Sequence, residues 1–360
     1  MIHLTYLEAG VVGLIQGISE MFPVSSLGHN VLLPAIVGGS WARDLNVSSP
    51  ESPYLAFIVG LHVATAAALL IYFRRDWVKI IGGFCTSVRD RRVVTADQRL
   101  AWMIILATIP VGLVGLGFEH AFRVIFAKPA FAAAFLTLNG LILLAGERYR
   151  TRASLAADAA IAAASAPGTT APAASAADAP AQQTELAQQT ELVAAGNPPP
   201  GRHSAPVLAP GGPTPAGPPA HAGQSLAVQA DMRLAGMSMA RAVTIGSAQI
   251  LALLAGISRD GVTMVAGMCR GLSREDAARF AFLLATPVIL AAGALKVPDL
   301  AGPLGNGIRG QIIFGSVLSG IGAYLAVRFL LRYLRTRTLT PFGVYCVIAG
   351  VACLAYLGLK

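Results

Sequence analysis

Gln16-Gly17-Ile18-Ser19-Glu20-Met21-Phe22-Pro23-Val24-Ser25-Ser26-Leu27-Gly28-His29 sets a carboxylate, hydroxyls and an imidazole into an otherwise apolar stretch. Ionisable groups at membrane depth are costly and usually mark a function. Gln16 and Glu20 are spaced i, i+4 and share one helix face. Pro23 breaks that helix and Gly28 permits a tight turn. A half-helix starting here presents free N–H groups, which suit an anion. The segment has an echo 233 positions on: Gly13, Gln16, Ser25 and Gly28 land on Gly246, Gln249, Ser258 and Gly261, while Ser26 lands on Arg259. The pairing predicts one site built from two halves of a duplicated membrane protein.

Composition agrees. The chain has 360 residues, is 55% hydrophobic and only 12% charged, and its mean hydropathy is +0.63. A soluble domain carries about 25% charged residues. The N-terminal apolar run lacks a basic leader and contains Gln16 and Glu20, so it does not read as a cleavable signal. The net charge of +9 sits in short segments flanking apolar spans and does not point to nucleic acid. Cys85, Cys269, Cys346 and Cys353 lack metal spacing and read as small apolar residues without a disulfide.

Apolar runs near 54–73, 100–118, 129–146, 276–296, 311–331 and 341–358 are long enough to span a bilayer. Two further regions, about 5–40 and 240–270, are interrupted by Pro23 and by Gly256 with Gly261. Broken helices at membrane depth must be packed in protein or line a cavity, so both read as re-entrant hairpins. Residues 151–238 are rich in Ala, Pro, Gly, Gln and Ser and contain a tandem Gln-Gln-Thr-Glu-Leu. Such a composition buries too little to fold. It reads as a disordered cytoplasmic linker between a first membrane repeat, 1–150, and a second, 239–360. A weaker echo, offset by 225, runs from Ala56 to Leu70 and Ala281 to Leu295. The expected fold is an all-α polytopic membrane protein. Each half is a re-entrant helical hairpin plus three transmembrane helices. An odd number of spans per half inverts the second repeat and sets binding sites near the midplane. Under this topology the clusters Arg74–Arg92, Arg148–Arg152, Arg270–Arg279 and Arg328–Arg337 all fall on one side. That side is then cytoplasmic, and both termini face outward.

Ser25 suits an N-cap. Glu20, Ser26 and His29 around a helix start suit phosphoryl chemistry, with a serine nucleophile and Glu or His moving protons. In Gly256-Ile257-Ser258-Arg259-Asp260-Gly261-Val262-Thr263, the guanidinium of Arg259 binds phosphate bidentately. Ser258, Thr263 and backbone amides near Gly261 add donors. An Arg259–Asp260 loop pair is the competing reading. His62, inside a span, suits either the cavity or the core. Gln249 reads as an interhelix hydrogen-bonder, and Arg274, Glu275, Asp276 and Arg279 as a helix-start cluster capped by Ser273. A phosphatidic-acid-phosphatase site is excluded, since that signature needs a histidine six residues after the arginine and Val265 stands there.

On these residues the chain resembles the bacitracin-resistance family of undecaprenyl pyrophosphate phosphatases. Gln16–Glu20 with Pro23–His29 is similar to the family's Glu/Gln-rich motif and its Pro-Val-Ser-Ser-x-Gly-His run. Gly256–Thr263 is similar to its Pro-Gly-x-Ser-Arg-Ser-Gly-x-Thr motif, and Gly271–Phe280 and Phe57–Thr65 also fit. The resemblance implies a membrane phosphatase that removes the terminal phosphate of undecaprenyl pyrophosphate at the outer face of the cell membrane. That reaction recycles the carrier lipid for cell-wall synthesis. It also implies a divalent metal, Mg or Ca, and a protein that is often dimeric. Glu20, Ser26, His29 and Arg259 match the family's essential positions, and Ser258 and Thr263 its second-motif hydroxyls. The derived expectation seats the pyrophosphate between the hairpin tips. Ser25, Ser258, Gly261 and Thr263 bind it, a metal sits near Glu20 and Gln16, and Ser26 attacks, with a His29 nucleophile or a metal-activated water as the open alternatives. Three departures stand out: Gln16 for the commoner Glu, Leu27 for Thr and Asp260 for Ser. A transporter of a polyprenyl phosphate lipid is the competing class, because an inverted repeat suits alternating access equally.

Overall fold

The computed structural model describes residues 4–45, 53–125, 128–165, 232–301 and 307–359. The first hairpin is α1, Tyr6–Met21, and α2, Ser26–Val37. Thr5 caps α1 through a reciprocal box with Glu8, which satisfies otherwise orphaned N–H groups. After α3, Gly39–Asp44, come α4, Pro53–Tyr72, α5, Arg74–Asp90, α6, Ala96–Ile125, and α7, Pro129–Ser165. The second hairpin is α8, Met239–Ser247, a 3-10 turn over Ala248–Leu253, and α9, Arg259–Cys269. It is followed by α10, Arg274–Ala301, α11, Arg309–Tyr333, and α12, Thr340–Gly358.

Five of these helices, α6, α7, α10, α11 and α12, are long and apolar enough to cross a membrane. So is α4 taken together with α5, which it meets at a bend of 86°. The chain is a multi-pass membrane protein. Sequence reading treated 74–92 as a charged connection, but α5 is a helix. Ile80, Gly83 and Ser87 face inward, while Val78, Ile81 and Val88 form an exposed apolar stripe beside Arg75, Lys79 and Arg89. Separate apolar and cationic faces are the pattern of a helix lying in a membrane interface.

The limits of the linker also move. Residues 151–165 continue α7. Leu234 and Met237 are buried in the main apolar cluster, so the packed second repeat begins before 239. Residues 166–231 lie outside those described. The chain divides into two units, 1–154 with 223–360 and 155–222.

Within the membrane unit the halves interlock. α1 packs on α11, α8 on α6, and α4 on both α10 and α11. Bilayer helices associate through close backbone approach at small residues, and the echoed glycines supply it. A Cβ on Gly13 would strike the carbonyl of Gly315, and one on Gly246 the carbonyl of Ala107. The basic clusters gather at one end around the start of α10. Arg274 pairs with Glu147 at 2.7 Å, Arg279 with Asp76 at 2.9 Å, Arg335 with Glu275 at 2.9 Å and Arg233 with Asp276 at 2.9 Å.

Candidate active site

Both hairpin breaks are built alike. Ser25 caps α2, its Oγ accepting from the Gly28 N–H at 3.2 Å, and Ser258 caps α9, its Oγ accepting from the Gly261 N–H at 3.1 Å. Ser25 sits at φ 67°, in the left-handed region, and Gly256 at φ 112°. The tips touch reciprocally. A Cβ on Gly28 would lie 3.0 Å from Gly256 Cα, and one on Gly261 3.2 Å from Pro23 Cβ. Under the offset of 233, Pro23 maps to Gly256 and Gly28 to Gly261. The two contacts therefore exchange, as a pseudo-twofold axis requires. Gly261 does not break the chain as the sequence suggested. It lies inside α9, where its lack of a side chain lets the other tip approach, and the break falls at Leu254–Ser258.

Asn139 of α7, fully buried, fastens the junction. Its Nδ2 donates to the Pro23 carbonyl at 2.9 Å, and its Oδ1 accepts from the Ser258 N–H at 3.0 Å. Sequence reading passed over it. The available signal was a primary amide in the middle of an apolar span.

Glu20 is the electrostatic centre. Its Oε1 takes a hydrogen bond from Arg259 Nη2 at 2.6 Å. Its Oε2 accepts from Gln16 Nε2 at 2.9 Å and from the Ser26 hydroxyl, with His62 Nε2 at 3.4 Å. His62 donates Nδ1–H to the Ile58 carbonyl at 2.8 Å, so Nε2 meets the carboxylate favourably when it bears a proton. The structure thus brings Gln16, Glu20, Ser26, His62 and Arg259 together. His29 is set apart from this cluster. Its Nδ1 bonds the Ser25 carbonyl at 2.7 Å and its Nε2 the Tyr345 hydroxyl at 2.7 Å, with the two rings stacked.

A cavity of 180 Å³ opens on the cluster, lined by Glu20, Ser25, Ser26, His62, Gln249, Ser258 and Arg259 among others. The hydroxyl protons of Ser25 and Ser258 are not spent on their caps, since each Oγ serves there as acceptor. Arg259 keeps Nη1 without a partner among the described residues. These donors surround a space suited to a phosphate. Thr263 does not join them: its hydroxyl donates back to the Arg259 carbonyl at 2.7 Å, as helix threonines do. Asp260 is buried beside Arg259 Nε at 3.6 Å, with neither oxygen hydrogen-bonded. The loop-pair reading is therefore met only as a loose contact.

Gln16 and Glu20 do not fit a resident divalent ion. Both Glu20 oxygens are taken by N–H and O–H donors, one of them a guanidinium. Gln16 turns its nitrogen to Glu20 and gives its oxygen to Asn30 Nδ2 at 2.5 Å. Among the described residues no three His, Cys, Asp or Glu side chains converge as a metal would require.

The family described as bacitracin resistance protein BacA matches residues 9–173 and 221–352. The chain is 54% identical to undecaprenyl-diphosphatase 2 of Frankia alni, over 98% of each chain. It is 52% identical to undecaprenyl-diphosphatase of Mycolicibacterium paratuberculosis, over 99% of each. It is 36% identical to undecaprenyl-diphosphatase 2 of Chromobacterium violaceum, over 97% of this chain and 98% of that one.

Proposed function

The chain belongs to the bacitracin resistance protein BacA family, and on that premise we propose that it hydrolyses undecaprenyl diphosphate to undecaprenyl phosphate and inorganic phosphate. That activity recycles the carrier lipid for cell-wall synthesis and confers resistance to bacitracin. The observation that carries the proposal is the Ser26 hydroxyl donating to Glu20 while Arg259 holds the other carboxylate oxygen. A nucleophile, its base and a phosphate-binding cation meet on one cavity wall.

In this mechanism the diphosphate enters the cavity and takes hydrogen bonds from Arg259, from the Ser25 and Ser258 hydroxyls and from free amides at the start of α2. Ser26 Oγ attacks the terminal phosphorus as Glu20 takes its proton. The bond to the bridging oxygen breaks and undecaprenyl phosphate leaves, its newly freed oxygen taking the proton back from Glu20. Water then releases phosphate from Ser26. His62 shares charge with Glu20 throughout. His29, bonded to the Ser25 carbonyl and the Tyr345 hydroxyl, positions the start of α2. A Mg or Ca ion, also proposed, would neutralise charge on the bound diphosphate and would not be held by Gln16 and Glu20, whose oxygens are already taken. We further place the cavity mouth at the outer face of the cell membrane, opposite the gathered basic clusters, in a homodimer.

The test is phosphate release by purified protein from undecaprenyl diphosphate, with acid trapping of a phosphorylated residue. Release with label on Ser26 supports the full reading. Release without any phosphoenzyme, with one-step oxygen exchange from water, sinks the serine route. No release leaves lipid transport as the better account.

A further inference from the structure

Gln249 lies in the 3-10 turn Ala248–Leu253, is 1% exposed, and lines the same cavity as Glu20, Ser26, His62 and Arg259. Neither its Oε1 nor its Nε2 has a hydrogen-bond partner among the described residues. The sequence reading cast it as an interhelix hydrogen-bonder, and no such partner stands among the described residues. Its counterpart in the first repeat, Gln16, is fully engaged, with Nε2 on Glu20 and Oε1 on Asn30. Where α1 stays α-helical through Gln16, the second repeat tightens to three residues per turn from Ala248 onward, and mid-helix stretches of this kind often mark functional positions. The duplicated glutamine is a strut in one half and an open amide in the other.

The chemistry of that amide restricts what it can hold. Buried polar groups are nearly always paired in the working state. Nε2 offers protons and Oε1 accepts one. A fully ionised diphosphate only accepts, so it satisfies Nε2 alone. Both ends are satisfied by a phosphoryl oxygen together with a proton-bearing oxygen beside it. During hydrolysis that oxygen is the attacking water.

We propose that Gln249 holds the terminal phosphoryl group and the hydrolytic water together, Nε2 donating to a non-bridging phosphoryl oxygen and Oε1 accepting from the water. The inference rests on the hydrolase reading above. In the step it serves, the water oxygen bonds to phosphorus as the bond from phosphorus to Ser26 Oγ breaks. The water's proton passes by way of Glu20 to Ser26 Oγ, which regenerates the serine and leaves inorganic phosphate.

The test compares wild type, Gln249→Met and Gln249→Glu for kcat, KM, phosphoenzyme level and Tm on undecaprenyl diphosphate. Methionine matches glutamine in length and removes an unpaired buried amide, so the Met variant is expected to melt at or above wild type. Its kcat is expected to fall about 30-fold or more with kcat/KM within about fivefold of wild type, because the lost contact acts on the water that cleaves the phosphoenzyme and KM falls with kcat. Phosphoenzyme is expected to accumulate. The Glu variant keeps an acceptor for the water but repels phosphate, so KM is expected to rise about tenfold. A folded Met variant with kcat within about threefold of wild type overturns the proposal. So does a fall in Tm for both variants, which would make the amide a structural strut. A wild type that releases no phosphate instead brings down the hydrolase reading on which the inference stands.

Discussion

Glu20 is bound at both oxygens by groups from both halves of the chain: Arg259 on Oε1, and Gln16, Ser26 and His62 on Oε2. Removing its charge leaves the buried guanidinium only its loose contact with Asp260, and breaking a buried pair in this way typically costs about 3–5 kcal/mol. Glu20→Gln is therefore expected to lower Tm and to cut phosphate release at least about 100-fold, since the base for Ser26 is lost. Arg259→Lys keeps the charge but not the fork that serves Glu20 while leaving Nη1 for substrate. It is expected to bind Glu20 and release phosphate about tenfold or more slowly, with Tm nearly unchanged. Steady-state kinetics with thermal melts of the two variants check both outcomes, and an active Glu20→Gln would remove the carboxylate from the mechanism. Much of this cluster was legible, because a carboxylate, a serine and an arginine in apolar sequence carry their own warning. His62 and Asn139 were legible only as single polar residues. What gives them roles is contact across 42 and 119 positions of chain, with Glu20 and Ser258, and no local pattern encodes that.

The two re-entrant hairpins act as matched elements, and their glycines carry the match. Gly256 sits at φ 112°, and a Cβ there would strike the Ala132 carbonyl and lie 2.7 Å from the Leu136 N. Gly39 also has positive φ, 58°, but an added Cβ meets nothing within 4 Å. Gly39→Ala is expected to cost about 1 kcal/mol, the backbone penalty alone. Gly256→Ala adds a clash with a helix backbone that cannot yield cheaply, so it is expected to cost about 3 kcal/mol or more and to abolish phosphate release. Thermal melts of the two variants, with phosphate release, test the contrast. Equal behaviour would mean that the tips do not need their close approach. The breaks themselves could be read from Pro23, Gly256 and the echo offset. The 3-10 turn and α5 could not. Winding depends on what the Ala248–Leu253 segment packs against, and the charges of 74–92 masked a helix whose apolar stripe faces outward.

At the scale of the molecule the cavity belongs to neither repeat alone. Glu20, Ser25, Ser26 and His62 come from the first, and Gln249, Ser258 and Arg259 from the second. The inverted arrangement was legible from the count of spans and the arginine clusters, whereas the interlocking of α1 with α11 and of α8 with α6 was not, because apolar helices in lipid choose partners by shape rather than by hydrophobicity. Among the described residues, those lining the cavity lie between 20 and 111 and between 249 and 288. If packing between helices, and not the covalent connection, holds the site together, the chain should tolerate being cut within 155–222. Residues 1–165 and 223–360, co-expressed as separate chains, are expected to co-purify and to release phosphate within about tenfold of the intact protein, since the main loss is the effective concentration that the tether supplied. Either piece alone lacks part of the cavity wall and is expected to fall below about a hundredth of that activity. Activity in a lone piece would place the chemistry within one repeat. Failure of two folded pieces to associate would show that the connection, rather than the glycine-lined helix contacts, holds Arg259 against Glu20.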